Sequence, residues 1–131
     1  MSLPNILIVD DSKFMCFTIS DCLLKEFPSI NIISTDSFNS ALHEFISNDI
    51  DLVITDYVLP GKKNGVNLLE KLYSFDDDFY SIVISSLATQ EIINNSFKIG
   101  ASAFIKKPFN RNKLNSIVKD IFSCNDVTKI S

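Results

Sequence analysis

Acids, hydroxyls and amines punctuate this 131-residue chain where short apolar runs end. Asp10-Asp11 follows Ile6-Leu7-Ile8-Val9, and Asp56 closes the run Asp51-Leu52-Val53-Ile54-Thr55. Ser85-Ser86 follows Ser81-Ile82-Val83-Ile84, and Lys106-Lys107-Pro108 follows Ala103-Phe104-Ile105. A carboxylate at the end of a buried strand is costly unless something pairs with it. Two carboxylates about 5 Å apart repel by about 3 kcal/mol at an effective dielectric near 20, and a third multiplies the cost. One ammonium from Lys107 cancels only part of that sum, so a divalent cation or raised pKa values must supply the rest. Oxygen-only ligands suit Mg²⁺, which keeps several waters and favours sites that also hold a phosphate. Acids, hydroxyl and lysine together would handle a phosphoryl group, with Asp56 the candidate nucleophile forming an acyl phosphate.

Each residue also has a purely structural explanation. Asp10, Asp11 and Ser12 could cap a helix, Asp56 could open a turn ahead of Pro60-Gly61, Ser85 could cap another helix, and Lys107-Pro108 could be a loop. Coincidence at four separate run ends argues for convergence instead.

The elements that must bring these groups together are legible as alternating patterns. Apolar runs at 6–9, 30–33, 51–54, 81–84 and 103–105 are rich in Ile and Val, as in strands of a parallel sheet buried on both faces. Between them Phe38, Ala41, Leu42, Phe45 and Ile46 follow the i, i+3, i+4, i+7, i+8 stripe of an amphipathic helix, and Leu114, Ile117, Val118, Ile121 and Phe122 repeat it. Composition and period predict further helices near 13–27, 65–74 and 90–99, the first with Ser12 as N-cap. Five strands alternating with five helices imply right-handed βαβ crossovers and an α/β, doubly wound parallel sheet, whose ligands gather outside the carboxyl ends of the strands.

Length and composition fit one domain, expected over residues 1–123, with the polar stretch 124–131 read as a tail or the start of a linker. A net charge of −4 and a pI near 4.8 disfavour direct binding to nucleic acid or anionic lipid. No apolar run approaches the roughly 20 residues of a membrane span, and no secretory signal opens the chain, so a cytoplasmic location is expected. Cys16, Cys22 and Cys124 lack zinc-ligand or CxxC spacing and read as free thiols, and the single His43 reads as a surface or boundary residue.

In their order, the motifs ILIVDDS at 6–12, DLVITDYVLPG at 51–61, IVISS at 82–86 and GASAFIKKPF at 100–109 are similar to those of the receiver domain of two-component response regulators, over residues 5 to 122. Among these the single-domain chemotaxis type is nearest in pattern. The resemblance implies a flavodoxin-like (βα)5 fold with strand order 2-1-3-4-5. It implies Asp56 as phosphoacceptor, with Mg²⁺ held by Asp11, Asp56 and the Val58 backbone carbonyl, and Asp10 assisting. Lys107 would pair with phosphoryl oxygens, Ser85 would donate a hydroxyl to them, and Phe104 would turn inward as Ser85 moves. The Lys107-Pro108 peptide would be cis.

The implied function is a signalling switch and not an enzyme beyond its own phosphorylation and dephosphorylation. Its donors would be a sensor histidine kinase, a phosphotransfer protein or a small acyl phosphate. Output would pass through the face of the fourth helix, fifth strand and fifth helix to a downstream protein, with homodimer formation one form of that contact. Two features depart from the pattern. The loop 60–65 is one residue longer than usual, and apolar Val58 and Leu87 stand where polar side chains of some relatives orient an attacking water, which predicts slow self-dephosphorylation. Alternatives are an aspartate-nucleophile phosphatase, whose nucleophile would follow the first strand in a DxD pattern absent here, and a receiver cut from a longer multi-domain regulator. A flavodoxin-like electron carrier would need a hydroxyl- or glycine-rich first loop, which Asp10-Asp11-Ser12 does not supply.

Overall fold

In the computed structural model, which describes residues 3–130 and side chains through Ser123, strands and helices alternate strictly along the chain. They are β1 (Asn5–Val9), α1 (Lys13–Glu26), β2 (Asn31–Thr35), α2 (Phe38–Ser47), β3 (Leu52–Asp56), α3 (Gly65–Phe75), β4 (Tyr80–Ser85), α4 (Gln90–Lys98), β5 (Ala103–Lys106) and α5 (Arg111–Ile130). The five strands form one parallel sheet in the order β2-β1-β3-β4-β5, as the resemblance implied.

The strand period of two divides the apolar residues between the sheet's faces. Ile6, Ile8, Ile54, Ile82, Ile84 and Ile105 pack on one side against Ile19 and Leu23 of α1 and Leu114 and Val118 of α5. Leu7, Val9, Val53 and Val83 pack on the other against Ala41 and Phe45 of α2 and Leu68 and Leu72 of α3. Most of these side chains are wholly excluded from solvent, each burial contributing about 1.5–3 kcal/mol before the entropy cost.

The expectation of strands buried on both faces holds for β1, β3 and β4. It fails for β2 and β5, where exposed and half-buried positions predominate because these strands form the sheet's edges. The boundaries of β2 also move. The apolar run 30–33 suggested its extent, but the strand continues through Ser34 and Thr35, since Thr35 donates its hydroxyl to the Ile8 carbonyl at 2.9 Å and its own carbonyl accepts from Asp10 N at 3.0 Å.

The α1 helix begins as expected, Ser12 Oγ accepting from Met15 N. A reciprocal capping box between Ser37 and Ser40 starts α2, and another between Asn64 and Asn67 starts α3. The predicted stripe of α2 is partly buried as drawn, except that Ile46, in its last turn, is 61% exposed. In α5 the stripe residues Leu114, Val118 and Ile121 are buried. The helix backbone runs to Ile130, so 124–130, expected as tail or linker, continues α5. Cys124 lies outside the described side chains.

Candidate functional site

Parallel pairing brings the carboxyl ends of β1, β3, β4 and β5 to one edge of the sheet, and the predicted groups sit there. Val9 pairs with Thr55, Asp56 with Ile84 and Ser85 with Lys106, so Asp10 emerges level with Asp56, and Ser85 and Lys107 follow one and two residues beyond that level. Asp10 leaves β1 with its backbone N–H on Thr35 and folds its side chain back so that Oδ1 accepts from Ser12 N at 2.9 Å. Its carboxylate is only 3% exposed. Asp11, next in sequence, is exposed. Asp56 is the last residue of β3, with Oδ1 accepting from Val58 N at 3.2 Å.

Lys107, just past β5, crosses to these acids. Its Nζ donates to Asp10 Oδ2 and to Asp56 Oδ2, both at 2.9 Å. Its backbone N–H is fixed on the Ser85 carbonyl at 2.9 Å, and the following Lys107–Pro108 peptide is cis. Carboxylate oxygens of Asp10, Asp11 and Asp56 all lie within 4.8 Å of one another.

The electrostatics follow from this crowding. Burial pushes the Asp56 carboxyl above its ordinary pKa; the hydrogen bond and charge of Lys107 pull the other way without cancelling it, while nearby Asp10 adds to the rise. Burial would lower the Lys107 ammonium, but its hydrogen bonds to Asp10 and Asp56 outweigh that and hold it above its usual value. Charge balance and donor chemistry therefore fit a hard divalent cation, since three carboxylates converge, one ammonium serves two of them, and all offer oxygen alone.

The side chains of the other predicted site residues make no hydrogen bond to Asp10, Asp56 or Lys107 among the described residues. Ser85 ends β4, fully buried, with Oγ accepting from Leu87 N at 3.0 Å. Phe104 of β5 is half-buried and packs against the apolar cluster beneath α2 and α3. Val58 and Leu87, 50% and 49% exposed, leave apolar side chains at the solvent surface of the two loops. Cys22 is buried, Cys16 half-buried, and neither is in a disulfide; His43 is exposed.

Two positioning residues escaped the sequence reading. Thr35 ties β2 to both Ile8 and Asp10, yet as a polar residue beyond an apolar run it carried no periodic signal. Gly65, first residue of α3, is buried and donates its N–H to the Tyr57 carbonyl at 2.7 Å. A Cβ there would run into the Asp56 carbonyl oxygen and stand 3.1 Å from that carbonyl's carbon. Its place after the Asn64 cap was the available signal, because glycine is the residue used where another backbone approaches closely.

A doubly wound parallel sheet with three carboxylates and a lysine at the carboxyl ends of its strands defines a protein built to handle a phosphoryl group. Comparison with known proteins makes the class specific. The model of the response regulator receiver domain matches residues 6–119. The chemotaxis protein CheY of Treponema pallidum is 31% identical over 111 residues, covering 84% of this chain and 76% of that protein. CheY of Halobacterium salinarum is 28% identical over 121 residues, with 91% and 97% coverage. Among solved structures, the CheY-like receiver domain protein of Methanospirillum hungatei superposes with a TM-score of 0.86 at 27% identity, covering 99% of this chain and 100% of that one. A chain of the CheX-CheY-BeF3-Mg+2 complex of Borrelia burgdorferi gives 0.83 at 31% identity, with 91% and 89% coverage. The chain belongs to the response regulator receiver domain family. It is a phosphorylation switch of two-component signalling, and its own phosphorylation and dephosphorylation are the only reactions that this role requires of it.

Proposed function

We propose that Asp56 is the residue phosphorylated, that Asp10, Asp11, Asp56 and the Val58 carbonyl hold Mg²⁺, and that Lys107 and Ser85 donate hydrogen bonds to the oxygens of the transferred group. The observation that carries this reading is the convergence of three carboxylates within 4.8 Å of one another, two of them bonded to the Lys107 ammonium. An Asp56 carboxylate oxygen attacks the phosphorus of a phosphohistidine on a sensor kinase or phosphotransfer protein, or of a small acyl phosphate. The P–O bond to Asp56 forms as the bond to the leaving nitrogen or oxygen breaks, and the bonding electrons depart with the leaving group. When bound, Mg²⁺ supplies positive charge to the non-bridging oxygens and relieves carboxylate repulsion. Lys107 shifts part of its bonding from Asp56 to the new phosphoryl oxygens, and Asp10 keeps the ammonium aimed there.

The added charge also favours a second conformation, in which the Ser85 hydroxyl exchanges Leu87 N for a phosphoryl oxygen and Phe104 repacks. Ser85 and Lys107 share a backbone hydrogen bond, and Phe104 lies on the same strand as Lys106, so the movement would reach the α4-β5-α5 face where a downstream protein docks. Membership of the receiver family supports a cytoplasmic location. Exposed, apolar Val58 and Leu87 cannot orient water for attack, so the phosphoryl group should be long-lived.

Treatment with an acyl phosphate and Mg²⁺, followed by intact-mass analysis, should add one phosphoryl group to the parent and none to Asp56→Asn. Equal labelling of the two would defeat the assignment. Label retained for hours by the isolated phosphoprotein, and lost faster in Leu87→Asn, would support the slow-hydrolysis reading; rapid loss from the parent would contradict it.

A further inference from the structure

Edge strand β2 leaves a cleft of about 640 Å³ between itself, the first turns of α1 and the Ser40–Glu44 stretch of α2. That volume falls within the roughly 300–1,000 Å³ usual for small-molecule sites. Ile33 and Cys16 give it an apolar floor, Asp36, Glu44 and Lys13 stand around it, and Asp10 closes its inner end.

The charge in this cleft is unbalanced. Asp10 shares Lys107 with Asp56, leaving the Asp36 and Glu44 carboxylates against the Lys13 ammonium, with the His43 imidazole also on the lining. Neither Asp36 nor Glu44 has an ion pair among the described residues; their side chains accept only from neutral donors, Ser40 Oγ at 3.4 Å and Asn48 Nδ2 at 3.2 Å. A ligand complementary to this lining carries one positive charge on a small apolar body. We propose that the α1–β2–α2 cleft binds a small organic monocation, and that its occupancy opposes cation binding at the acidic triad.

The second half rests on the reading of the triad as a Mg²⁺ site. Asp10 belongs to both places, and Cys16 joins them, its Sγ donating to the Asp10 carbonyl oxygen at 3.3 Å while lining the cleft. Two cations flanking one carboxylate repel, and linkage requires each to weaken the other by the same factor.

Benzamidine, a flat monocation, is a suitable probe, with neutral benzamide and anionic benzoate as controls of the same shape. Titrated into the full chain and followed by amide NMR, benzamidine should give saturable shifts at Cys16, Ile33 and Thr35, and the two controls should not. One charge contact corresponds to about fivefold in affinity, so Glu44→Gln should weaken benzamidine by about that factor and Lys13→Gln should strengthen it as much. The gain in Lys13→Gln cannot come from misfolding. Saturating benzamidine should weaken Mg²⁺ binding about fivefold, and saturating Mg²⁺ should weaken benzamidine equally. Shifts centred on Asp11 and Asp56, equal shifts with benzamide, or no saturable shift would overturn the cleft as a cation site. Saturable binding with unchanged Mg²⁺ affinity would overturn the coupling. Failure of the triad to bind Mg²⁺ at all would count against the proposed phosphorylation site, while the first titration would still decide the cleft.

Discussion

Lys107 is shared between two buried acids, and that sharing sets what single substitutions should do. Its Nζ stands 2.9 Å from both Asp10 and Asp56, whose side chains are 3% and 11% exposed. Lys107→Ala leaves both without their cation, and breaking a buried pair costs about 3–5 kcal/mol. Urea unfolding should show a loss near the lower figure, as protonation of one carboxyl offsets part of it. Asp56→Asn should act in the opposite direction. Burial raises the Asp56 pKa, so the folded state holds that proton more firmly than the unfolded chain. The associated stability is fully present below the ordinary value of 3.8 and is lost as pH rises through the higher folded value. The asparagine variant escapes that loss, so its urea midpoint should exceed the parent's at pH 7 and depend less on pH across the acid range. A lower midpoint at pH 7 would mean that Lys107 outweighs burial.

Between elements, the join of α3 to β3 and that of α1 to α5 make separate demands. Gly65 lets the first turn of α3 rest on the Asp56 backbone, with Thr55 Cγ2 standing 3.2 Å from where a Cβ would be. Gly65→Ala should cost about 2 kcal/mol by overpacking and slow Asp56 labelling as the strand end shifts. Gly61, by contrast, has a φ of 92° and nothing within 4 Å of a Cβ, so Gly61→Ala should cost only about 1 kcal/mol of backbone strain and leave labelling unchanged. Thermal melts and labelling rates of the two variants check both statements together. On the opposite face Arg111 reaches Asp21 of α1, which also pairs with Lys25. The Arg111 and Lys25 hydrogen bonds depress the Asp21 pKa, so this tie contributes above the unfolded value near 3.8 and fades as pH falls through the depressed folded value. Arg111→Ala should lose stability at neutral pH, lose none at the acid end, and differ less from the parent in high salt.

For the molecule as a whole, a cation that binds only the folded state must stabilise all of it. Mg²⁺ at about 100 times its Kd should raise the unfolding free energy by about 2.7 kcal/mol, reversed by a chelator and diminished in Asp11→Asn. Much of this architecture was legible along the chain. Ile and Val runs marked β1, β3 and β4 because central strands are apolar on both faces, and Asp10, Asp56 and Lys107 stood out because charge at such places requires a partner. β2 was misjudged in extent and burial because an edge strand is held by backbone pairing with β1 and by Thr35, which leave no apolar period. Gly65 was invisible as a positioning residue because its constraint is a missing atom against a backbone nine residues earlier. The sequence by itself determined the alternation of elements and the kind of chemistry at their ends, since periodicity and composition are local. Only tertiary structure decided which acids Lys107 grips and that a charged cleft adjoins Asp10, because those contacts join residues that strand order, not chain order, makes neighbours.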